Sequence, residues 1–387
     1  MSESLIFIDR SKLSPRYIPE ELPHREVQVV QITHVFSEAT RDPEKFPPAI
    51  LQVIGPAGFG KTSTVIRASK IIEEQFAKNR LTLNVAYVNL KLQGGNKYAI
   101  YRFLLERIAP ELPAQGLSAE EMLRYMLKYL RDSKQYALII MDEIDYLIKT
   151  SKDTTIVYDL CRLNEFEPEK PCNVKGVVFI ARSNEFYSRL DPAELSSLGR
   201  MPLDYPAYTV QQVSDILESR CAQAFMQKAM GSDVIDDVAS ITTSEQVGGD
   251  VRYALDLLLY AGNLAESQGT GRITLDHIRK VHGQIHPSIT SEDIEQLSQS
   301  HLLSLIALVR ALRAKKRPYV ELRDVRLHAT ELANQFGARK LEVEDYLDDL
   351  KARKLVDIKS LREIGLHSTS LAELEPALMD KVKAEKQ

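Results

Sequence analysis

The hydrophobic pattern changes period along the chain, and the change marks where one kind of layer gives way to another. Short, almost unbroken apolar runs recur at 49–54, 85–90, 137–141 and 177–181, with stretches of helical period between them. A run of five or six apolar residues without polar alternation reads as a strand covered on both faces. Strands of that kind alternating with helices make a parallel sheet. A further short strand fits at 201–203. From about residue 209 the strand signals stop, and helical patterns follow at 209–228, 232–242, 249–267 and 274–284. After the break at His286-Pro287, Leu302, Leu305, Ile306, Val309 and Leu312 form a helical stripe that Pro318 ends. Helices at 321–336 and 341–354, followed by the alternating Leu355-Val356-Asp357-Ile358-Lys359, complete three helices and a hairpin, the pattern of a winged helix. The expected fold class is therefore α/β. Residues 1–208 are read as the parallel-sheet core, 209–286 as a small helical domain, and 287–387 as the winged helix. At the front, Pro15, Pro19 and Pro23 break up an extended segment before a helix begins near Glu26.

Chemistry enters at the end of the first run. Gly55-Pro56-Ala57-Gly58-Phe59-Gly60-Lys61-Thr62 fits the GxxxxGKT phosphate loop, and it stands where that loop must stand, after a strand and at the start of a helix. Glycines let backbone N–H groups turn toward phosphate oxygens, and the helix that follows presents its positive end. The residues expected to bind nucleotide here are Gly55, Gly58, Phe59, Gly60, Lys61, Thr62, Ser63, Thr64 and Val65. Lys61 reaches the outer phosphates, and the Thr62 hydroxyl ligates Mg2+. A second element is needed to supply a carboxylate at the end of another buried strand, and the run 137–141 ends in Asp142-Glu143. Asp142 completes the magnesium site, while Glu143 is placed to orient or deprotonate the attacking water. The fourth run ends at Arg182-Ser183-Asn184, where Asn184 is either a contact to the γ-phosphate and its water or an ordinary turn residue. Arg252, in Gly248-Gly249-Asp250-Val251-Arg252, is either a phosphate contact or a solvated helix-end arginine.

Composition narrows the partners. The chain has 387 residues, 50 basic against 54 acidic, for a net charge of −4. Such a balance argues against indiscriminate coating of nucleic acid, so any DNA contact must be local. The three cysteines form no CxxC pair, and an odd number makes a disulfide framework unsuited, which points to a reducing cytoplasm. The apolar Leu5-Ile6-Phe7-Ile8 is flanked by Glu3 and Asp9 and is not read as a signal peptide. No run of about 18 apolar residues occurs, so no membrane helix is expected.

Taken together, these residues resemble an archaeal replication initiator of the origin-recognition and cell-division-control type, an AAA+ ATPase with a helical lid and a C-terminal winged helix. The likeness covers nearly the whole chain. Tyr17-Ile18-Pro19 and Leu22-Pro23-His24-Arg25-Glu26 resemble the family's segment over the adenine, which implies nucleotide contacts for Ile18 and Arg25. Asp142-Glu143-Ile144-Asp145 matches the family's DEID, and Asn184 matches its first sensor. Tyr208 and Arg220 match lid contacts to nucleotide, and the run from Gly249 to Asp256 matches the second sensor, which carries Arg252 over as a phosphate contact. The resemblance implies ATP and ADP with Mg2+ as ligands, double-stranded origin DNA and the replicative helicase as partners, and slow hydrolysis used as a switch in a cytoplasmic, nucleoid-associated protein. It also implies an extra helical element near 94–120 that touches DNA, although a capping box of Ser118 and Glu121 explains the same residues.

The departures are as informative. Where the family usually reads Asp-Pro-Arg-Val-Lys-Ser-Ser-Leu, with a basic residue acting on a neighbour's ATP, this chain reads Asp191-Pro192-Ala193-Glu194-Leu195-Ser196-Ser197-Leu198. Arg200 is the nearest substitute. Residues 291–387 hold 17 basic and 17 acidic side chains, so the last domain is neutral. Its recognition helix turns Val343, Tyr346, Leu347 and Leu350 inward and leaves Asp345 and Asp348 where they would repel phosphate. DNA contact is expected instead from Arg339 and Lys340 before that helix and from Lys359 and Arg362 at the wing. Two other readings stay open: a regulatory P-loop ATPase whose neutral winged helix binds a protein, and a clamp-loader-like machine.

Overall fold

The computed structural model describes residues 4–93, 96–151, 154–199, 201–285, 294, 297–336, 341–353, 355–360, 363–366 and 371–384. The chain divides into two compact units. One runs from Ile18 to Tyr208, and the other joins the residues up to Tyr17 with those from Thr209 onward.

The first unit is a three-layer sandwich. Its strands are β1 (Ala49–Ile54), β2 (Thr82–Asn89), β3 (Gln135–Asp142), β4 (Val174–Ala181) and β5 (Leu203–Asp204). They pair in the order β2-β3-β4-β1-β5, all parallel. The two strands in the middle of that order explain the unbroken apolar runs: every residue of β4 is buried, and all of β3 after its first residue. On one face lie α1 (Glu26–Val35) and α2 (Lys61–Lys78). Val65, Ala68, Ile72 and Phe76 share one side of α2 and bury against Leu51, Val53, Leu138 and Val178. Gly176 is required on this face, because a Cβ there would come within 2.1 Å of the Phe36 ring. The other face is covered by α3 (Lys97–Ile108) and α4 (Ala119–Asp132). The Ser118–Glu121 capping box starts α4, with both of its hydrogen bonds formed. A short helix, α5 (Ile144–Thr150), follows β3, and α6 (Pro192–Leu198) precedes β5.

The second unit begins with four helices, α7 (Val210–Ala224), α8 (Ser232–Thr243), α9 (Val251–Ser267) and α10 (Leu275–Ile285). Residues 4–17, read from sequence as part of the core domain, are packed in this unit instead. Phe7 forms an antiparallel bridge with Phe225 and stacks on its ring at 5.0 Å, and Gly262 of α9 leaves room for it. Ile6 and Leu13 are fully buried there. The reason is apolar area: Ile6, Phe7 and Leu13 bury against the helices, while Leu5 and Ile8 beside them stay exposed.

The last part holds α11 (Gln299–Lys315), β6 (Tyr319–Glu321), α12 (Leu322–Phe336), α13 (Glu344–Ala352), β7 (Asp357–Ser360), β8 (Glu363–Gly365) and α14 (Leu371–Ala384). The strands form an antiparallel sheet in the order β6-β8-β7, a winged helix around an apolar core drawn from all four helices. Sequence reasoning gave the first three helices and β7. It missed β6 and α14. Leu371, Leu374, Leu378 and Val382 of α14 are buried at helical spacing.

Candidate nucleotide site

The C-terminal ends of β1, β3 and β4 finish level with one another. Ile54 pairs with Ala181, and Asp142 pairs with Ile180, so the residues just past these strands meet along one edge. Open parallel sheets bind ligands at that edge, where a neighbouring strand is entered from elsewhere in the chain. Here β1 lies between β4 and β5 while its own chain leaves for β2 at the far side.

From β1 the loop 55–60 turns twice through the left-handed region, with φ of 77° at Gly58 and 80° at Gly60. Side chains rarely adopt such angles, so both glycines are needed for the turn. Gly60 starts α2 without any side-chain cap, which leaves the helix start to an anion rather than to a neighbouring residue. Gly55 packs against Tyr205, where a Cβ would meet that side chain at 2.9 Å. Lys61 is buried and its Nζ donates to the Pro56 carbonyl at 2.6 Å, folded back along its own loop. Thr64 and Val65 stand behind the loop: the Thr64 hydroxyl donates to the Gly60 carbonyl, and Val65 lies in the apolar core. Their side chains take no part in the cradle. Ser63 is half-buried at the start of α2.

Asp142 is the acidic member. Its Oδ2 accepts from the Thr62 hydroxyl at 2.8 Å and from the Tyr87 hydroxyl at 2.7 Å, and its Oδ1 accepts from the Glu143 N–H at 2.9 Å. Burial pushes the Asp142 carboxyl up, outweighing the two hydroxyls that pull it down. Burial, followed by the charge of Asp142, pushes the Tyr87 phenol up as well, so Tyr87 is a donor at any ordinary pH. A buried carboxylate with a threonine hydroxyl beside it, at the mouth of a phosphate loop, fits a hard divalent cation with oxygen ligands. Thr62 and Asp142 would hold Mg2+.

Glu143 has φ 63° and ψ 42°, a left-handed conformation that costs a non-glycine residue on the order of 1–3 kcal/mol. Its carboxylate is gripped by Arg182, with Nε to Oε2 at 3.1 Å and Nη2 to Oε1 at 2.9 Å. Asn184 is exposed at the head of a short 3-10 turn two residues further on, past the end of β4. Sequence reasoning missed Tyr87 and Arg182. Tyr87 was legible as a tyrosine two residues before the end of β2, and Arg182 as the charged residue directly after β4.

Arg25 and Tyr208 brace the loop from behind. The Arg25 guanidinium donates to the carbonyls of Phe59, His24 and Pro206 at 3.1, 3.2 and 3.2 Å, and lies 3.8 Å over the Tyr208 ring. The Tyr208 hydroxyl donates to the same Phe59 carbonyl. Ile18 is half-buried next to buried Pro19. In the other unit, all three guanidinium nitrogens of Arg220 donate to carbonyls, those of Lys12, Tyr17 and Ser14. That arginine is committed to holding the N-terminal segment, not turned out toward a ligand. Arg252 is half exposed and pairs with Asp250 of its own helix start. At the wing, Lys359 is exposed with its ammonium 5.2 Å over the Tyr319 ring. Arg200, Arg339, Lys340 and Arg362 lie outside the described residues.

A family model for an AAA domain matches residues 45–190, and one for the Cdc6 AAA+ ATPase-type lid domain matches 214–283. The ORC1-type DNA replication protein 1 of Sulfurisphaera tokodaii is 32% identical over 355 residues, which cover 90% of this chain and 85% of that one. The chain belongs to the family of ORC1-type DNA replication proteins. Among solved structures, Cdc6p from Pyrobaculum aerophilum shares the fold with a TM-score of 0.84 at 24% identity, over 99% of this chain and all of that one. The Aeropyrum pernix ORC1 protein, solved in complex with DNA, is 28% identical with a TM-score of 0.65 over the whole of both chains. As a member of this family the chain is an AAA+ ATP-binding protein with ATPase activity of that general kind. Among the described residues no helix is long and apolar enough to cross a membrane.

Proposed function

We propose that this protein is an ATP-controlled replication initiator that recognises double-stranded origin DNA and helps load the replicative helicase, with hydrolysis as the switch. The observation that carries the reading is the Thr62–Asp142 hydrogen bond at the head of the phosphate loop, with Glu143 the next residue. Bound Mg2+ would neutralise charge on the phosphates. This chain's residues do the rest. Backbone N–H groups of 55–60 and Lys61 hold the phosphates in line, and Asn184 and Glu143 position a water. Glu143 takes a proton from that water as its oxygen bonds to the γ-phosphorus and the bond to the β-phosphate oxygen breaks, releasing ADP.

Family members support the DNA partner, since one relative was solved in complex with DNA. Binding here falls to Lys359 with Arg339, Lys340 and Arg362. Quantitative binding of the full chain to origin-region and random duplexes across a salt series tests this. With so few basic residues the slope of log affinity against log salt should be shallow, on the order of −3 to −5. Preference for origin DNA with that slope supports the reading, and no binding at low salt refutes it. The second reading, a winged helix that binds protein, is favoured by its balance of 17 basic and 17 acidic residues in 291–387 and by exposed Asp345 and Asp348 on α13.

A further inference from the structure

Arg182 begins where β4 ends, and its planar fork closes on both oxygens of Glu143 across the mouth of the sheet. The left-handed backbone at Glu143 aims the carboxylate at the β4 end. The partner there is a fixed charge: hydrogen bonding to Glu143 is the first cause raising the Arg182 guanidinium above its ordinary value. A carboxylate held at both oxygens by one guanidinium has its best acceptor directions occupied, and its electron density is drawn toward a cation. With one acceptor site of each oxygen taken by the fork, the carboxylate engages a water less readily while the pair is closed.

We propose that Arg182 is a restraining residue: its two-pronged ion pair with Glu143 keeps the site in a resting, ATP-holding arrangement, and hydrolysis proceeds only from the fraction of molecules in which the pair is open. The inference rests on the reading of Glu143 as the group that activates water. Arg182 is a positioning residue, acting through Glu143 and not on the phosphates. Its side chain is 48% exposed and that of Glu143 20% exposed, so the pair is weak enough to open and is sensitive to salt.

The test is steady-state hydrolysis of Mg-ATP by the full chain. Arg182→Gln keeps a polar side chain of similar reach without the charge and should raise kcat by about three- to fivefold, the bias an exposed ion pair supplies, with KM and ADP affinity unchanged within twofold. Arg182→Lys, which keeps a point charge but not the fork, should fall between wild type and Arg182→Gln. Raising salt at saturating ATP should increase kcat of the wild type but not of Arg182→Gln, a response that a purely structural ion pair would not give. The double variant Arg182→Gln with Glu143→Gln should be as inactive as Glu143→Gln alone. If Arg182→Gln hydrolyses no faster than wild type while Glu143→Gln is inactive, the restraint is wrong and the water-activating role of Glu143 stands. If Glu143→Gln is as active as wild type, the role of Glu143 fails, and the restraint with it. Should Arg182→Gln fail to fold, a kcat of the wild type that does not rise with salt overturns the proposal.

Discussion

Arg25 joins three separate pieces of chain behind the phosphate loop, and replacing it with methionine isolates what that joint contributes. Methionine fills most of the space along the stem, so the change removes the charged fork with little cavity. Of the three carbonyls left behind, that of Phe59 keeps the Tyr208 hydroxyl as a donor, while those of His24 and Pro206 are near enough to the surface to find water. No buried countercharge is orphaned, because the hydrogen-bonded partners of Arg25 are neutral, the three carbonyls and the Tyr208 phenol. What is lost is the guanidinium over the Tyr208 and Tyr205 rings, about 2 kcal/mol for a desolvated pair, and the net gain of charged hydrogen bonds to carbonyls, a further 1 kcal/mol or so after water substitutes. Relief of the burial that holds the Arg25 group below its ordinary value offsets part of this. Arg25→Met should therefore destabilise the unit by about 2–3 kcal/mol, roughly 5–10 °C in Tm for a unit of this size. Because the Phe59 carbonyl lies between the two left-handed glycines, ATP affinity should fall about tenfold as the loop loosens. Thermal melts with and without ATP, together with calorimetric titration, read both effects. A variant that melts within 2 °C of wild type and binds ATP equally well would falsify the bracing role.

Lys61→Ala should abolish tight binding of ATP and ADP in a protein that melts normally, as calorimetry would record; unchanged affinity removes the phosphate-loop assignment. Gly60→Ala places a Cβ 2.8 Å from the Tyr208 hydroxyl at a φ of 80°, so it should lose affinity for nucleotide and stability together, by about 1–3 kcal/mol in stability measured by urea unfolding. In the winged helix, burial pushes the Glu375 carboxyl up, but hydrogen bonds from Arg310 and Arg313 more than offset it and leave it below the usual carboxylate range. A depressed carboxylate stabilises the fold above its ordinary value and loses that contribution as pH falls through the folded value. Glu375→Gln should thus be less stable than wild type at neutral pH by about 1 kcal/mol, with the gap closing in acid; a gap independent of pH refutes the pairing.

How much of this was legible follows from what a side chain can announce. β1, β3 and β4 were read to within three residues because strands covered on both faces are apolar at almost every position, and the glycines of the phosphate loop were legible because side chains rarely adopt their backbone angles. β6 was lost because three residues carry no period, and α14 because Pro376 and its charged residues obscure an apolar stripe that is present. The left-handed turn at Glu143, and with it the direction of its carboxylate, has no counterpart in the sequence at all.

The buried arginines give the same lesson a more general form. Arg25, Arg220 and Arg279 are the arginines buried among the described residues, and each spends its fork on main-chain carbonyls. Arg25 takes Phe59, His24 and Pro206; Arg220 takes Lys12, Ser14 and Tyr17; Arg279 takes Leu366 and Arg317, with the charges of Asp237 and Asp276 near it. Burial pushes all three below their ordinary values. Carboxylate partners can be sought in a sequence by charge, but every residue has a carbonyl, so these joints leave no signature. They also sit where segments distant in sequence must be held: the loop against the end of β5, the N-terminal segment against α7, and α10 against the strands of the winged helix. A planar cation with five donors suits that task, since it satisfies several carbonyls from irregular backbone at once without requiring a regular element to do so. Arg220 had the sequence context of a nucleotide contact and the structure of a clasp, and the difference lies wholly in partners that the sequence does not distinguish.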